Sequence, residues 1–449
     1  MGPRKDCITI GSARGACEET RLPAPGPLHR APRMDTIPPI NRTEEAVTLT
    51  AIITLAAAAA AAGICAAGQS GRQPEDSSLA ETIGALMEAA IRDGAFPGAA
   101  VVAGQGDRTL FAGGFGTLTG EAGSPPVTVE TLFDLASVSK VVGTATAAMI
   151  LLEDGRIRLD DRVSRYIPGF ETGGKQDVTI LDLLTHTSGL KAYESWQRVE
   201  EKRRPEESPP DALMRHYAGL PVSYPPRTQV RYSCLNMQVL ARVVENAAGE
   251  RMEDLLVRRV FLPLRMDDTR YTLDGRQVAR TSPTLRLSDG SLLQGKVHDP
   301  LARYHGTAEH SPGNAGLFST ASDLSRYCRM ILRGGELDGA RVMKPGTVHR
   351  MTSNLAPAAS SQKRGLGWGI YSPGPYASEL NGSDESRAIG HTGYTGTFIW
   401  LDKRTKAYVV LLTNRTFPDE KKEPDETSGF FAVRARLVQA VRERVEQSE

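Results

Sequence analysis

The sequence predicts an α+β fold in which both ends of the chain build one antiparallel sheet, helices flank that sheet in a three-layer sandwich, and a large helical subdomain is inserted. Two observations predict it. Strand patterns occur near both ends, at 98–104 and 108–119 and again at 397–400 and 407–412. Helical periodicity dominates the stretch between them, about 137–333. The C-terminal strands are therefore expected to complete the sheet that the N-terminal strands begin.

The remaining elements follow from the same kinds of pattern. An amphipathic period predicts a helix at 79–92, and a closing helix is predicted at about 430–446. The segment 366–372 has strand character. Apolar residues at helical spacing predict the internal helices, at 180–184, 237–247, 252–262 and 321–332.

The first 78 residues divide into three segments by composition. Residues 1–45 are rich in Pro, Gly and Arg without any period, which predicts a disordered tail. Residues 46–67 carry no charge and are long enough for a signal peptide or a membrane anchor, with a buried Ala-rich helix as the structural alternative. Residues 68–78 form a polar linker. We expect an exported protein, either periplasmic or anchored in a membrane through 46–67 and facing outside the cytoplasm.

Charge and cysteine content exclude several classes of protein. The chain has 54 Lys and Arg against 53 Asp and Glu and no basic stripe with interleaved aromatic residues, so no nucleic-acid partner is expected. Cys234 and Cys328, the cysteines that follow residue 67, indicate neither a disulfide framework nor a zinc site. A loop-like stretch rich in histidine has spacings that match no metal-ligand pattern, so neither a metal nor a cofactor is predicted. Its members are His298, Asp299, His305 and His310.

The string FDLASVSK places a serine three residues before a lysine. Residues three apart lie on one face of a helix, so the Ser137 hydroxyl and the Lys140 amine can meet. The same S-x-x-K spacing occurs at Ser188, where a glycine interrupts it, and at Ser360, in a segment without apolar period. Only Ser137 leads into an uncharged apolar helix, 141–152, typical of a buried element. A serine that caps a core helix is the structural alternative.

Three further strings, together with S-x-x-K, resemble a known family. Residues 183–190 read LLTHTSGL, residues 313–324 read GNAGLFSTASDL, and residues 391–393 read HTG. They resemble, in the same order along 79–447, the motifs of the serine β-lactamase and penicillin-binding-protein family. The closest likeness is to its class C-like branch of β-lactamases, D-Ala-D-Ala peptidases and esterases. The resemblance implies the β-lactamase/DD-peptidase fold for residues 79–447.

The resemblance also implies a mechanism and a set of site residues. It implies a serine hydrolase that forms a covalent acyl-enzyme on an amide or ester, such as a D-Ala-D-Ala-type peptide, a β-lactam or a small ester. Ser137 would be the nucleophile, with Lys140 and Tyr232 sharing the proton work, and the backbone N–H groups of Ser137 and Tyr394 would form the oxyanion hole. Burial is expected to lower the Lys140 pKa from about 10.4 to about 7 to 8. The predicted substrate contacts are His391, Thr392, Gly393, Tyr394, Cys234 and Asn236.

The sequence departs from the family at two positions. The family's Y-x-N motif is absent, and Tyr232-Ser233-Cys234 takes its place. A thiol is a weaker donor and acceptor than the asparagine amide of the motif, so Cys234 is expected to lose one hydrogen bond of about 1 kcal/mol. Asn236 is the candidate to replace that amide, although its spacing from Tyr232 differs from the motif. His391, where the family's β-lactamases have a lysine, is largely neutral at pH 7, which favours a peptidase or esterase.

Alternatives remain at both positions. Tyr232 could be a half-buried packing tyrosine, and His391 a solvent-facing residue of an edge strand. At the level of function, the missing asparagine also leaves open a penicillin-binding sensor that is acylated but does not turn over.

Overall fold

Seven antiparallel strands form the main sheet, in the order β2-β1-β13-β12-β11-β10-β9. The first two strands, β1 (Gly98–Gln105) and β2 (Arg108–Gly116), join the rest of the sheet through the last strand, β13 (Ala407–Thr413). Both ends of the chain thus build one sheet, and the predicted α+β class is confirmed. The other members of the sheet are β9 (Lys363–Arg364), β10 (Gly369–Ile370), β11 (Ala388–Thr392) and β12 (Phe398–Asp402).

The computed structural model describes residues 77–371, 387–419 and 429–448. All of these belong to one compact unit that spans residues 73–449. The predicted tail, the apolar segment 46–67 and most of the linker lie outside the described residues.

Alternate residues of the sheet face two different cores, as the period of two in a strand requires. Val101 of β1 packs with the N-terminal helix α1 (Ser77–Arg92) and the C-terminal helix α12 (Gly429–Glu446). Val102 points into the larger core on the opposite face, which the rest of the chain builds. The sheet is therefore the middle layer of a three-layer sandwich.

The helix that follows the S-x-x-K string is the centre of the larger core. Lys140–Ala145 winds as a π-helix and continues into α2 (Thr146–Glu153), with nearly every side chain buried. In the part of the chain that the structure describes, Ala136–Glu153 is also the one helical stretch long and apolar enough to cross a membrane. It is 83% buried within the protein, which is the property of a core helix.

The inserted subdomain is helical, as predicted, although its helices are short. The helix predicted at 252–262 begins as an α-helix and ends as a π-helix, Val257–Phe261. The Pro-led helix α5 (Pro209–Gly219) was missed, because half of its surface is polar and its apolar period is weak. The other helices are α3 (Ile180–Leu184), α4 (Trp196–Glu200), α6 (Cys234–Ala248), α7 (Met252–Leu256), α8 (Gly275–Ala279), α9 (Pro300–His305), α10 (Ala321–Leu332) and α11 (Pro345–Met351).

Three pairs of two-residue strands complete the described structure. The pair β3 (Phe133–Asp134) and β6 (Phe318–Ser319) matters for the site, because it joins the segment before Ser137 to the GNAGLFST string. The other pairs are β4 (Leu285–Arg286) with β5 (Leu292–Leu293), and β7 (Glu336–Leu337) with β8 (Ala340–Arg341).

Candidate active site

Ser137, Lys140 and Tyr232 come together at the start of the core helix. Ser137 lies on a 3-10 turn, Ala136–Val138, and is partly exposed, whereas Lys140 is fully buried. The Lys140 Nζ lies 2.9 Å from the Ser137 Oγ and 5.0 Å from the centre of the Tyr232 ring. The structure therefore brings together the three residues that the sequence predicts as nucleophile, amine and phenol.

The turn that carries Ser137 is strained and is held by a buried carboxylate. Ala136 has a φ of +44°, a region that residues with a Cβ rarely occupy. The Asp134 carboxylate accepts hydrogen bonds from the Ala136 N–H at 2.8 Å and from the His298 N–H at 2.6 Å. Burial raises the pKa of Asp134 to about 6, although the two N–H groups oppose that shift. Asp134 thus ties the nucleophile turn to the loop at residue 298.

The GNAGLFST string forms the other support of the nucleophile segment. The Leu135 N–H donates to the Leu317 carbonyl at 3.0 Å, and the Leu317 N–H donates to the Ser139 Oγ at 3.1 Å. Lys140 also donates from its Nζ to the Asn314 carbonyl at 2.7 Å. A motif more than 170 residues away in sequence therefore fixes the position of both Ser137 and Lys140.

Charge around Lys140 reverses the expected direction of its pKa. Burial disfavours the ammonium, but the electrostatic interactions with Cys234 and Tyr232 and a hydrogen bond with Tyr232 outweigh burial and raise the pKa of Lys140 above its ordinary value. Asp299 contributes in the same direction. The prediction of a lowered pKa rested on burial alone, because the sequence does not show which groups lie next to Lys140. Lys140 is therefore an ammonium at neutral pH.

The HTSGL string supports Tyr232. The His186 ring lies 4.7 Å from the Tyr232 ring, centre to centre, and His186 Nδ1 accepts a hydrogen bond from the Ser233 N–H at 3.2 Å. Burial and the nearby cations Arg364 and Lys140 lower the pKa of His186 well below its usual value. A neutral imidazole therefore packs against the Tyr232 ring and holds the adjoining backbone.

The two residues predicted to compensate for the missing asparagine occupy different places. Cys234 is the half-buried first residue of α6 and is an electrostatic neighbour of Lys140. Asn236 is 1% exposed, and its amide contacts His186 Nδ1 at 3.3 Å and the Ser188 hydroxyl at 2.5 Å. Asn236 therefore braces the HTSGL loop, and neither Asn236 nor Cys234 is among the residues that line the cavity described below.

The HTG residues lie at the end of β11, with Thr392 exposed and Gly393 buried. His391 is 6% exposed, and its Nδ1 donates to the Thr392 carbonyl at 2.8 Å. Its Nε2 has no hydrogen-bond partner among the described residues. Burial, with Lys140 and Arg364 nearby, lowers the pKa of His391 to about 3. The ring is neutral at pH 7, and its Nε2 presents a lone pair that can accept a hydrogen bond.

Two threonines after the HTG string bind the nucleophile segment directly. The Thr395 hydroxyl donates to the Asp134 carbonyl at 2.7 Å, and the Thr397 hydroxyl donates to the Leu135 carbonyl at 2.7 Å. A Cβ on Gly393 would lie 2.5 Å from that same Leu135 oxygen, so only glycine permits this approach. Sequence reasoning missed both threonines, although they stand in the string HTGYTGT.

A cavity of about 810 Å³ opens at Ser137 and Tyr232. His391, Thr392, Gly393 and Tyr394 line it, as predicted for substrate contacts. None of its described lining residues is an Asp or Glu, and four carry a positive charge. Sequence reasoning missed most of the wall, which includes Lys363, Arg364, Ile370, Tyr371, Arg415, Phe430, Phe431 and Arg434.

Comparison with known proteins decides the family. A family model described as "Beta-lactamase" matches residues 79–433. The chain belongs to the beta-lactamase family. The family resemblance given by the motifs is thereby confirmed, and the protein is a serine hydrolase.

Relatives of this family member are named as an amidase and as a putative carboxypeptidase. An N-acetylmuramyl-L-alanine amidase of Bacillus subtilis (strain 168) is 28% identical over 75% of this chain and 81% of its own length. A protein of Escherichia coli (strain K12) named "Putative D-alanyl-D-alanine carboxypeptidase" is 28% identical over 66% of this chain and 73% of its own length.

Solved structures share the fold. "EstCE1, a hydrolase with promiscuous acyltransferase activity" superposes with a TM-score of 0.64 at 23% identity, over 82% of this chain and 99% of that one. The octameric penicillin-binding protein homologue from Pyrococcus abyssi gives a TM-score of 0.58 at 21% identity, over 75% of this chain and 73% of that one.

Within the described part of this family member, no group of three or more His, Cys, Asp or Glu residues is placed to hold a metal ion.

Proposed function

We propose that this protein hydrolyses a D-Ala-D-Ala-type peptide or a small ester through an acyl-enzyme on Ser137. The observation that carries the proposal is the 2.9 Å contact between Lys140 Nζ and Ser137 Oγ, at the mouth of a cavity that Tyr232 also lines. A serine hydroxyl becomes a useful nucleophile when a base stands beside it and a fixed cation stabilises the charge that develops.

The raised pKa of Lys140 supports the following proton-transfer roles. Because Lys140 is an ammonium, it donates to the Ser137 Oγ and does not take its proton. Tyr232 is the remaining group beside Lys140, and it is proposed to react as a phenolate whose charge the ammonium offsets. It becomes a neutral phenol when it accepts the serine proton as the Oγ–carbonyl bond forms. The proton then passes to the leaving amine or alcohol as its bond to the acyl carbon breaks. Water releases the acyl group by the same steps in reverse order.

The oxyanion of each tetrahedral intermediate is proposed to bind the backbone N–H groups of Ser137 and Tyr394. The contacts that support this pairing are those of Thr395 and Thr397, which hold the turn that contains Tyr394, between β11 and β12, against the segment before Ser137. One such donor typically contributes about 3 kcal/mol to the barrier.

A carboxylate beside the scissile bond is the recognition element that we propose for the substrate. His391 is neutral and cannot supply the charge, but the Arg364 guanidinium lies 5.8 Å from the centre of the Tyr232 ring. The terminal carboxylate of a peptide can form an ion pair with this cation, whereas a small neutral ester has no charged group to pair with it. The carboxypeptidase name of the Escherichia coli relative supports the same choice.

Export is also proposed, since a peptidoglycan-type substrate lies outside the cytoplasm. It rests on the uncharged segment 46–67 of the sequence. Fractionation of cells that express the full chain tests it: protein confined to the cytoplasm would contradict export.

The function is tested with a panel of substrates and two serine variants. Purified protein is labelled with a fluorescent penicillin, and hydrolysis of a D-Ala-D-Ala peptide, a p-nitrophenyl ester and a chromogenic cephalosporin is followed. Ser137→Ala should abolish labelling and turnover. Ser360→Ala, in another S-x-x-K string, is the matched control and should retain both. Persistent label without turnover of any substrate would favour a sensor over an enzyme.

A further inference from the structure

Two guanidinium groups line the cavity, and neither forms an ion pair with an Asp or Glu of the described residues. Arg364 and Arg434 both contribute to its wall, and Arg434 is only 6% exposed. Burial lowers the pKa of both arginines; the titratable groups that face Arg364 are Tyr232 and Tyr371, those that face Arg434 are Tyr371 and Arg415, and no carboxylate of the described residues is among them. An unpaired buried cation costs stability, so a folded protein usually keeps one for a ligand.

Aromatic rings hold Arg434 in the place of a carboxylate. Its guanidinium carbon lies 4.3 Å from the centre of the Phe431 ring, 4.8 Å from Phe430 and 5.6 Å from Phe398. Burial lowers the pKa of Arg434 to about 10, which still leaves it charged at pH 7. Ring faces stabilise a cation without accepting hydrogen bonds along its N–H directions, so a guanidinium held in this way can also donate to an oxyanion.

The two cations occupy different parts of the same wall. Arg364 lies at the reactive end, next to Tyr232, whereas Arg434 lies on helix α12 with the phenylalanines Phe430 and Phe431. Tyr371 stands within electrostatic reach of both, and its hydroxyl has no hydrogen-bond partner among the described residues. A single extended ligand can therefore meet one cation near the nucleophile and a second one further along.

We propose that the cavity binds substrates that carry two carboxylate groups, one held by Arg364 beside the reacting bond and one held by Arg434. The part of the ligand next to the second carboxylate is apolar, because Phe430 and Phe431 form that end of the cavity. The first contact rests on the proposed function, but the second does not. The guanidinium fork matches a carboxylate through two parallel hydrogen bonds, so arginine is better suited to this task than lysine.

Binding of simple carboxylates to the full-length Ser137→Ala protein tests the proposal without catalysis. Calorimetric titrations compare diacids from succinate to suberate with the monoacids of the same carbon number, such as adipate with hexanoate. At least one diacid is expected to bind tenfold or more tightly than its monoacid, since a charged hydrogen bond contributes about 1.5 to 3 kcal/mol and 1.4 kcal/mol is tenfold. Equal affinities across the series would overturn the proposal.

Variants on one helix locate the second carboxylate. Arg434→Gln should abolish the diacid preference and leave monoacid binding unchanged, and Arg434→Lys should retain part of it. Arg436→Gln removes an exposed charge two residues away and should change neither. If Arg434→Gln unfolds the protein, the comparison of Arg434→Lys with Arg436→Gln decides, and equal preference in the two would overturn the site.

The same protein separates this proposal from the proposed function. A diacid preference in Ser137→Ala, together with a wild-type protein that no acylating probe labels, would contradict the function and keep the site. Labelling of Ser137 in wild-type protein without any diacid preference would contradict the site and keep the function.

Discussion

The Asn314 carbonyl oxygen lies 2.7 Å from Lys140 Nζ, so the backbone of the GNAGLFST string shares the ammonium with Ser137. The Asn314 side chain donates in turn to the Asp299 carboxylate at 3.3 Å. Asp299 thereby connects to Lys140 through one residue, and its charge favours the ammonium. Asp299 lies in the segment 296–300, which reads KVHDP and to which the sequence assigned no role. Through this relay the segment helps to set the charge state of Lys140.

Replacing Asp299 should move the pH profile of the enzyme. Asp299→Asn removes the charge that raises the Lys140 pKa, so the pKa falls and the ammonium is lost at a lower pH. The alkaline limb of kcat/KM should move down by roughly half to one pH unit, less than a direct ion pair would give. Groups that also face Lys140 are Ser137, Tyr232, Cys234, His391 and His186.

The Asp299 experiment has a matched control. Asp299 caps helix α9 by accepting from the Ala302 N–H at 2.6 Å, and asparagine is an equally good cap. Asp274 caps helix α8 in the same way but is exposed and remote. Asp274→Asn should leave the pH profile unchanged, and an identical shift in both variants would contradict the relay.

Restoring the asparagine of the Y-x-N motif should favour amide substrates. In Cys234→Asn the new amide can donate to a substrate carbonyl where the thiol is a poor donor. We expect kcat/KM for a D-Ala-D-Ala peptide to rise about fivefold, for a hydrogen bond of about 1 kcal/mol, and kcat/KM for a p-nitrophenyl ester to change less. Cys234→Ala is the control. A similar gain in Cys234→Ala would show that loss of the thiol, not the new amide, is responsible.

The contact between Thr397 and Leu135 should matter for kcat more than for KM. Thr397→Val keeps the shape of the side chain but leaves the Leu135 carbonyl without its donor at 2.7 Å, a loss of about 1 to 3 kcal/mol. The oxyanion donors should lose their alignment, with a fall in kcat of about tenfold. Thr352→Val breaks a comparable hydrogen bond, to Val348 on α11, and should lower the free energy of unfolding without lowering kcat. A loss seen only in KM would count against the positioning role.

Burial of His305 should make the protein less stable in mild acid. Burial, with Arg242 and His310 nearby, lowers the pKa of His305 to about 3, against 6.5 for an exposed ring. Below pH 6.5 the unfolded chain binds a proton that the folded protein does not, so this group lowers stability as pH falls from 6.5 toward 3. Between pH 6.5 and pH 5 it accounts for about 2 kcal/mol of the free energy of unfolding.

The test for His305 is urea unfolding at pH 7 and pH 5. His305→Phe should lose about 2 kcal/mol less than the wild type between the two values, because a phenylalanine does not titrate. His349→Phe, at an exposed position, should keep the wild-type difference. An unchanged pH dependence in His305→Phe would show that His305 is not the group responsible.

The sequence predicted the parts of the site that depend on short spacings and strings. Ser137 and Lys140 are three residues apart, and the HTG string lies in one strand, so local pattern was sufficient. Arg364 and Arg434 line one cavity although they are 70 positions apart in the sequence. The periodicity of a helix or strand relates only neighbouring residues, so it could not predict that these two arginines share a cavity. The prediction that the pKa of Lys140 is lowered was wrong for the same reason, because the groups that raise this pKa come from other elements.

The most direct test of the account is to locate the acyl group on the protein. Wild-type protein is treated with a fluorescent penicillin, intact mass gives the number of adducts, and peptide mapping gives the labelled residue. The account predicts one adduct, on the peptide that contains Ser137, and none in Ser137→Ala. An adduct on another residue, or labelling of Ser137→Ala at the wild-type level, would contradict it.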